Sequence, residues 1–115
     1  MNVSFNGFGE TLATFVAADG VKAGQPVKIS PNGTVAACAK GDVLCGVAAN
    51  VRGGFAGVQL GGFVSLPYTG NLALGYQEIV MSDASTVTVP ATGSTGRKCL
   101  IVELDSAGGM AGIIL

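Results

Sequence analysis

The stretch GGFAGVQL at residues 53–60 decides the fold, because it returns at residues 108–115 as GGMAGIIL. The match extends backwards, since VKISPNGTV at 27–35 aligns with IVMSDASTV at 79–87, and Cys45-Gly46-Val47 aligns with Cys99-Leu100-Ile101. The separation between the copies grows from 52 residues at Val27 to 55 at Gly53, as small loop insertions would produce. The pattern predicts an internal duplication of one β-rich unit, with repeats at about 24–60 and 76–115. Chance similarity among Gly, Ala and Val is the alternative.

Short runs rich in Val, Ile, Thr and Phe, separated by Gly, Pro, Asn and Asp, predict strands over most of the chain. No segment keeps the 3.6-residue apolar period of a helix over ten or more residues, and only residues 71–77 could hold a short helical turn. Pro31-Asn32-Gly33 predicts a tight hairpin turn, with Val27 and Ile29 facing inward before it. Residues 57–68 are expected to form one long strand with a bulge at Gly61-Gly62. The predicted fold is all-β, a compact barrel or sandwich with a pseudo-two-fold duplication and little or no helix.

Length and composition predict a single domain that oligomerises. The 115 residues suit one β domain, at 10–115, preceded by an N-terminal arm at 1–9. The chain is 49% hydrophobic but only 11% charged, against about 25% in an average soluble domain. Large apolar surfaces are rarely left in water, so part of the exterior is expected to face other protein. A monomer rich in small residues is the alternative.

Several functional classes are disfavoured by composition. The net charge of −1 and the scattered basic residues argue against nucleic acid as a partner. Apolar runs end well before the roughly 20 residues that span a bilayer, and the start of the chain has no signal-peptide pattern, so we expect no membrane and synthesis in the cytoplasm. The three cysteines fit no zinc pattern and are interpreted as small buried hydrophobic residues, with a Cys45–Cys99 disulfide as the alternative.

The chain has no histidine, which removes the usual general base at neutral pH and the commonest metal ligand. We therefore predict no catalytic residues, no metal and no cofactor. Glu103 and Asp105 have the i, i+2 spacing that places two carboxylates on one face of a strand. Together with Arg97 they define the alternative, an oligomeric β-barrel enzyme or small-ligand binder with sites between subunits.

Three segments carry a resemblance to a known family: ETLATF at 10–15, AGQPVKI at 23–29 and DVLCGVA at 42–48. With a C-terminal strand rich in valine or isoleucine, they resemble the small capsid decoration, or cement, proteins of tailed bacteriophages and prophages, over nearly the whole chain. The sequence departs from that family at residues 74–80, where Tyr76 is shifted, and in its three cysteines.

The resemblance implies a compact β-fold with a pseudo-repeat, a homotrimer, and a place on the outside of the virion. There such proteins clamp neighbouring copies of the major capsid protein and have no catalytic residues. Residues 1–9 carry two phenylalanines but little strand pattern, so Phe5 and Phe8 are hypothesised to anchor an arm on the capsid or on a neighbouring subunit. A different virion component, such as a head-fibre domain, is a further possibility.

Overall fold

The computed structural model describes residues 11–91 and 93–115, and this part of the chain contains strands and no helix. The all-β prediction is therefore confirmed, and the short helical turn considered at 71–77 is not formed. The strands are β1 (Thr11–Ala17), β2 (Pro26–Ile29), β3 (Thr34–Ala37), β4 (Gly46–Arg52), β5 (Phe55–Gly61), β6 (Phe63–Pro67), β7 (Gly75–Met81), β8 (Val87–Thr88), β9 (Arg97–Asp105) and β10 (Met110–Ile114).

The first half of the chain is a closed barrel with strand order β1-β3-β2-β4-β5. Antiparallel pairing of β1 with β5 and parallel pairing of β1 with β3 close it. Its interior is made of small β-branched and alanine side chains, as the alternation along each strand requires. These fully buried residues are Val27, Val35, Ala48, Ala56 and Val58.

The second half is a five-stranded sheet with order β6-β10-β9-β7-β8, curved so that its two ends meet at a single parallel bridge between Tyr68 and Val87. Its core holds larger side chains, including Leu66, Ile79, Met81, Ile101 and Ile113. Cys38, Leu44 and Val47 of the first half pack into this same cluster. The two halves are therefore joined through a shared apolar contact.

The two halves have the same neighbour relations when β6 to β10 are taken as the equivalents of β1 to β5. The Ala17–Val35 pair that closes the barrel corresponds to the Tyr68–Val87 bridge. One residue bulges out of the β4–β5 ladder at Ala49, and one bulges out of the β9–β10 ladder at the equivalent position, Val102. Two copies of one unit would give this correspondence, and the duplication itself stays an interpretation.

The pairing also corrects details of the alignment. Val47 lies opposite Gln59, and Leu100 lies opposite Ile114, so Leu100 is the equivalent of Val47 and the cysteines at 45 and 99 do not coincide. The repeated Gly-Gly pairs also do not form the same turn in the two halves. β4 and β5 are joined by two glycines with φ of 58° and 82°, whereas β9 and β10 are joined by the four residues 106–109. The two extra residues of the β9–β10 turn account for the larger separation between the two copies after this point in the sequence.

Two further expectations are wrong. Residues 57–68 do not form one strand, because the chain leaves the barrel at Gly62, whose φ of 89° suits glycine, and enters the second sheet as β6. Ile29 was expected inside, yet 48% of its surface is exposed, because it lies at the open end of the barrel, beside the turn into β3. The hairpin turn at 31–33, followed by β3 at Thr34–Ala37, is confirmed.

Candidate functional site

The cysteines are free thiols held in apolar surroundings. Cys38 and Cys99 are buried, and desolvation raises the pKa of each to about 11. Burial also raises the pKa of Cys45. The considered disulfide between Cys45 and Cys99 is not formed, and the interpretation of buried hydrophobic residues holds for Cys38 and Cys99. Since the thiolate is the reactive form, these groups are poor nucleophiles at neutral pH.

Arg97 joins the two halves of the molecule. From the start of β9, its guanidinium reaches across to the barrel and donates hydrogen bonds to the carbonyl oxygens of Cys45 (Nη1, 3.0 Å) and Leu60 (Nη2, 2.9 Å). Its Nε is buried and has no hydrogen-bond partner among the described residues. The side chain is therefore committed to holding the two sheets together rather than to a ligand.

Glu103 and Asp105 lie six and eight residues beyond Arg97 along β9, which corresponds to about 20 and 26 Å of extended chain. The bulge at Val102 shifts the alternation, so that Ile101 and Leu104 contact the core and the two carboxylates lie outside. The Asp105 carboxylate accepts a hydrogen bond from the Gly108 N–H at 3.0 Å, which fixes the β9–β10 turn.

Within one chain, the structure therefore does not bring Arg97 together with the two carboxylates, and the alternative of a site between subunits stays a prediction. Across residues 11–91 and 93–115, no group of three or more histidine, cysteine or acidic side chains is placed to hold a metal ion. No helix in this part of the chain is long and apolar enough to cross a membrane. Phe5 and Phe8 lie outside the described residues.

A lysine and an aspartate form an ion pair on the surface of the barrel. The Lys28 ammonium lies 2.7 Å from the Asp42 carboxylate, which also accepts a hydrogen bond from the Ala39 N–H at 2.8 Å. These contacts lower the pKa of Asp42, and the hydrogen bond to Asp42 raises the pKa of Lys28. Their effect is local, since they fix the turn at residues 39–42, which contacts the second sheet.

That contact borders a concavity of about 300 Å³. It lies where the turn at 39–42 meets β7 and β8, and its lining is predominantly apolar: Lys40, Gly41, Val80, Met81, Ser82, Thr88, Val89 and Ala91. The Ser82 hydroxyl already donates to the Thr86 carbonyl oxygen at 3.1 Å. A recognition site for a small polar molecule needs several convergent polar groups, and this lining does not supply them.

Four of the eight large apolar side chains exposed on the described residues lie at one end of the barrel, which we call the rim. Val16 and Phe55 lie opposite each other on β1 and β5, next to the turn at 53–54. Ile29 lies beside the turn at 31–33, and Val51 precedes the turn at 53–54. Phe55 is 55% exposed, a large fraction for a phenylalanine in a strand. The rim is thus an apolar surface built on rigid strand ends.

A second apolar surface, the outer row, crosses the second sheet. The strand register places Tyr76, Leu100, Ile114 and Phe63 side by side across β7, β9, β10 and β6. Tyr76 is 71% exposed, and Lys98 lies 6.0 Å from its ring centroid. Leu100 and Ile114 are half-buried. Sequence reasoning predicted exposed apolar area from composition but did not place it, because the placement depends on the register of four strands.

No protein-family model matches the sequence, and none of the curated proteins is significantly similar to it. The function must therefore be argued from these surfaces and from the sequence pattern.

Proposed function

We propose that the protein is a structural component of a virion, a decoration protein that binds the major capsid protein on the outside of a tailed-phage or prophage capsid as a homotrimer. The observation that carries the proposal is the distribution of exposed apolar side chains. Of the eight large apolar side chains exposed on the described residues, four lie at the rim and Tyr76 lies on the outer face of the second sheet, whereas Leu12, Val43 and Leu74 lie elsewhere. Arg97 holds the contact between the halves, and Asp105 fixes the β9–β10 turn. The sequence resemblance supports the same role.

Two separate apolar surfaces on one rigid body suit a protein that joins neighbours. One surface can contact another copy of the chain while the other contacts the capsid. In a trimer, three weak capsid contacts act together, because binding at one site raises the effective concentration at the next two. This is how a chain with few charges can attach firmly. The internal duplication belongs to the same proposal, since it would supply similar surfaces twice in each chain.

The proposal is tested on particles from the phage or prophage that encodes the chain. Particles produced from a strain lacking the gene are mixed with purified protein and sedimented, and bound protein is measured against a bovine serum albumin control. We expect saturable binding, with a protomer number that is a multiple of three per capsid three-fold position. Protein that stays in the supernatant at every concentration would contradict the proposal.

The N-terminal arm has its own test. Deleting residues 2–9 is expected to abolish binding to these particles while leaving the far-ultraviolet circular dichroism and the thermal unfolding of the β domain unchanged. The double variant Phe5→Ala and Phe8→Ala should weaken binding in the same direction. Unchanged binding by the deletion variant would reject the arm as a capsid contact. Labelling of a head fibre instead of the shell, seen by electron microscopy, would assign the protein to a different virion component.

A further inference from the structure

The turn at residues 39–42 covers an open strand end of the second sheet. Met81, the last residue of β7, donates its N–H to the Asp42 carbonyl oxygen (2.9 Å), and its own carbonyl oxygen accepts the Gly41 N–H (2.7 Å). β9 does not extend to this point, since its pairing with β7 stops at Ile79 and Arg97. With the turn in place, Met81 is only 1% exposed. A piece of the first half thus completes the edge of the second.

Among residues 11–91 and 93–115, nothing pairs with the equivalent strand end in the barrel. Ile29 ends β2 as Met81 ends β7, and it lies opposite Val35 as Met81 lies opposite Val87. The Ser30 N–H bonds to the Thr34 carbonyl oxygen, so the alternation of an antiparallel ladder directs the N–H and C=O of Ile29 away from β3. Neither group has a hydrogen-bond partner among the described residues. The side chain is 48% exposed, against 1% at Met81.

The second half carries a second turn of the same kind, described at residues 91, 93 and 94. Gly41 has a φ of 88° and Gly93 has a φ of 86°. The Asp42 N–H donates to the Ala39 carbonyl oxygen at 3.0 Å, and the Ser94 N–H donates to the Ala91 carbonyl oxygen at 2.9 Å. Ala91, Gly93 and Ser94 therefore share the glycine conformation and the backbone hydrogen bond of Ala39, Gly41 and Asp42. Within the described chain, the Gly93 N–H and the Ser94 carbonyl oxygen have no hydrogen-bond partner.

We propose that the turn at 91–94 of one copy of this chain docks on the β2 end of a second copy, as the turn at 39–42 docks on β7 within one chain. The expected hydrogen bonds run from the Gly93 N–H to the Ile29 carbonyl oxygen and from the Ile29 N–H to the Ser94 carbonyl oxygen. The free turn and the free edge lie on different halves, so the contact is head to tail. Repeated around an axis, such a contact closes into a ring.

The rim favours a second copy as the occupant. Ile29, Val16 and Phe55 present exposed apolar surface around the open edge, and backbone pairing at a strand edge gives affinity while neighbouring side chains give specificity. The contact between copies is expected to be weaker than the contact within the chain. Leu44, which follows the turn at 39–42, is buried in the second core, whereas Thr95 and Gly96 follow the turn at 91–94. Ring closure compensates, because each copy is held at two places.

The first test places a charge on the open edge. Ile29→Lys puts a lysine where a strand edge would otherwise pair, a substitution that blocks edge pairing without a cost to the exposed free monomer. Light scattering after gel filtration should show the wild type as an oligomer and Ile29→Lys at the 11.3 kDa of one chain. Val43→Lys is the matched control, because Val43 is similarly exposed at 46%, and it should stay oligomeric. An oligomeric Ile29→Lys, a monomeric wild type or a monomeric Val43→Lys would overturn the inference.

The second test acts on the turn and stands even if Ile29→Lys does not fold. Gly93→Val forces a β-branched residue into a positive φ, which distorts the exposed turn. Gly20→Val imposes the same strain at a φ of 92° in another exposed turn with open space around it. We expect Gly93→Val to be monomeric and Gly20→Val to remain oligomeric; equal behaviour of the two variants would contradict the docking.

A third test is cross-linking. The double variant Ile29→Cys and Ser94→Cys should form a ladder of disulfide-linked oligomers under oxidising conditions, and each single variant should not.

This inference rests on the oligomeric part of the proposed function and is independent of the capsid. An oligomer that meets these tests but ignores undecorated particles would leave the interface intact and reject the virion role. If the protein binds the particles but its Ile29→Lys and Gly93→Val variants remain fully oligomeric, the virion role is supported and the proposed interface is rejected.

Discussion

Replacing Arg97 with alanine should destabilise the protein by separating its two halves. The guanidinium makes two hydrogen bonds to carbonyl oxygens of the barrel, at 3.0 and 2.9 Å. Hydrogen bonds from a charged group contribute about 1.5–3 kcal/mol each, so their loss costs about 3–6 kcal/mol. Removing the partnerless buried Nε returns about 1–3 kcal/mol of desolvation. With the middle of each range, the net expected loss is about 2–3 kcal/mol of the free energy of unfolding.

Urea unfolding monitored by circular dichroism measures this loss, at one fixed protomer concentration because association contributes to apparent stability. With an m value of about 2 kcal/mol/M, the middle of the range for small proteins in urea, the midpoint should fall by about 1–1.5 M. Lys98→Ala is the neighbouring control, since Lys98 makes a surface contact 6.0 Å from the Tyr76 ring and its loss should cost about 0.5 kcal/mol or less. If Arg97→Ala unfolds within about 0.5 kcal/mol of the wild type, the contact does not hold the halves together and the reasoning is refuted.

Two further predictions concern the second sheet and the thiols. A Cβ at Gly112 would lie 2.9 Å from the Phe63 ring, so Gly112→Ala should cost about 1–3 kcal/mol in the same urea assay; Gly57→Ala should cost less, because the atoms it meets belong to the flexible Asn50 side chain. The raised pKa values of Cys38 and Cys99 give stability that is complete below the unfolded thiol pKa of about 8.5 and lost as the pH rises toward 11. Cys38→Ala should reduce the pH dependence of unfolding between pH 8.5 and 11, and a pH dependence equal to that of the wild type would contradict the assignment.

Local sequence signals account for much of the fold. The run VKISPNGTV contains a strand, a Pro-Asn-Gly turn and a second strand, and the structure forms that hairpin with β3 at the expected bounds. Pro26 begins β2, where its missing N–H is tolerated. In these segments the residues that set backbone conformation also set the alternation of side chains, so the local pattern and the final structure agree.

The failures occur where the outcome depends on which sheet a strand joins. Residues 57–68 form an apolar run, and nothing local shows that the chain changes sheets at Gly62. The bulge at Val102 likewise reverses the alternation along β9, so that Arg97 and Glu103 lie on opposite faces. A single extra residue thus separates the guanidinium, which bonds to the barrel, from the two carboxylates. The candidate surfaces follow the same rule, since composition predicted exposed apolar area while only strand register located it.

The strongest guide to function is the difference between equivalent positions in the two halves. Had both halves been complete in themselves, Ile29 and Met81 would have similar surroundings, yet one is open and the other is covered by a turn from the other half. The turn at 39–42 covers the end of β7 within one chain. The similar turn at 91–94 and the end of β2 are then the two complementary parts of an interface. Because the parts lie on different halves, the described residues of a single chain leave both of them unpaired, and for this reason we propose a second copy as the partner.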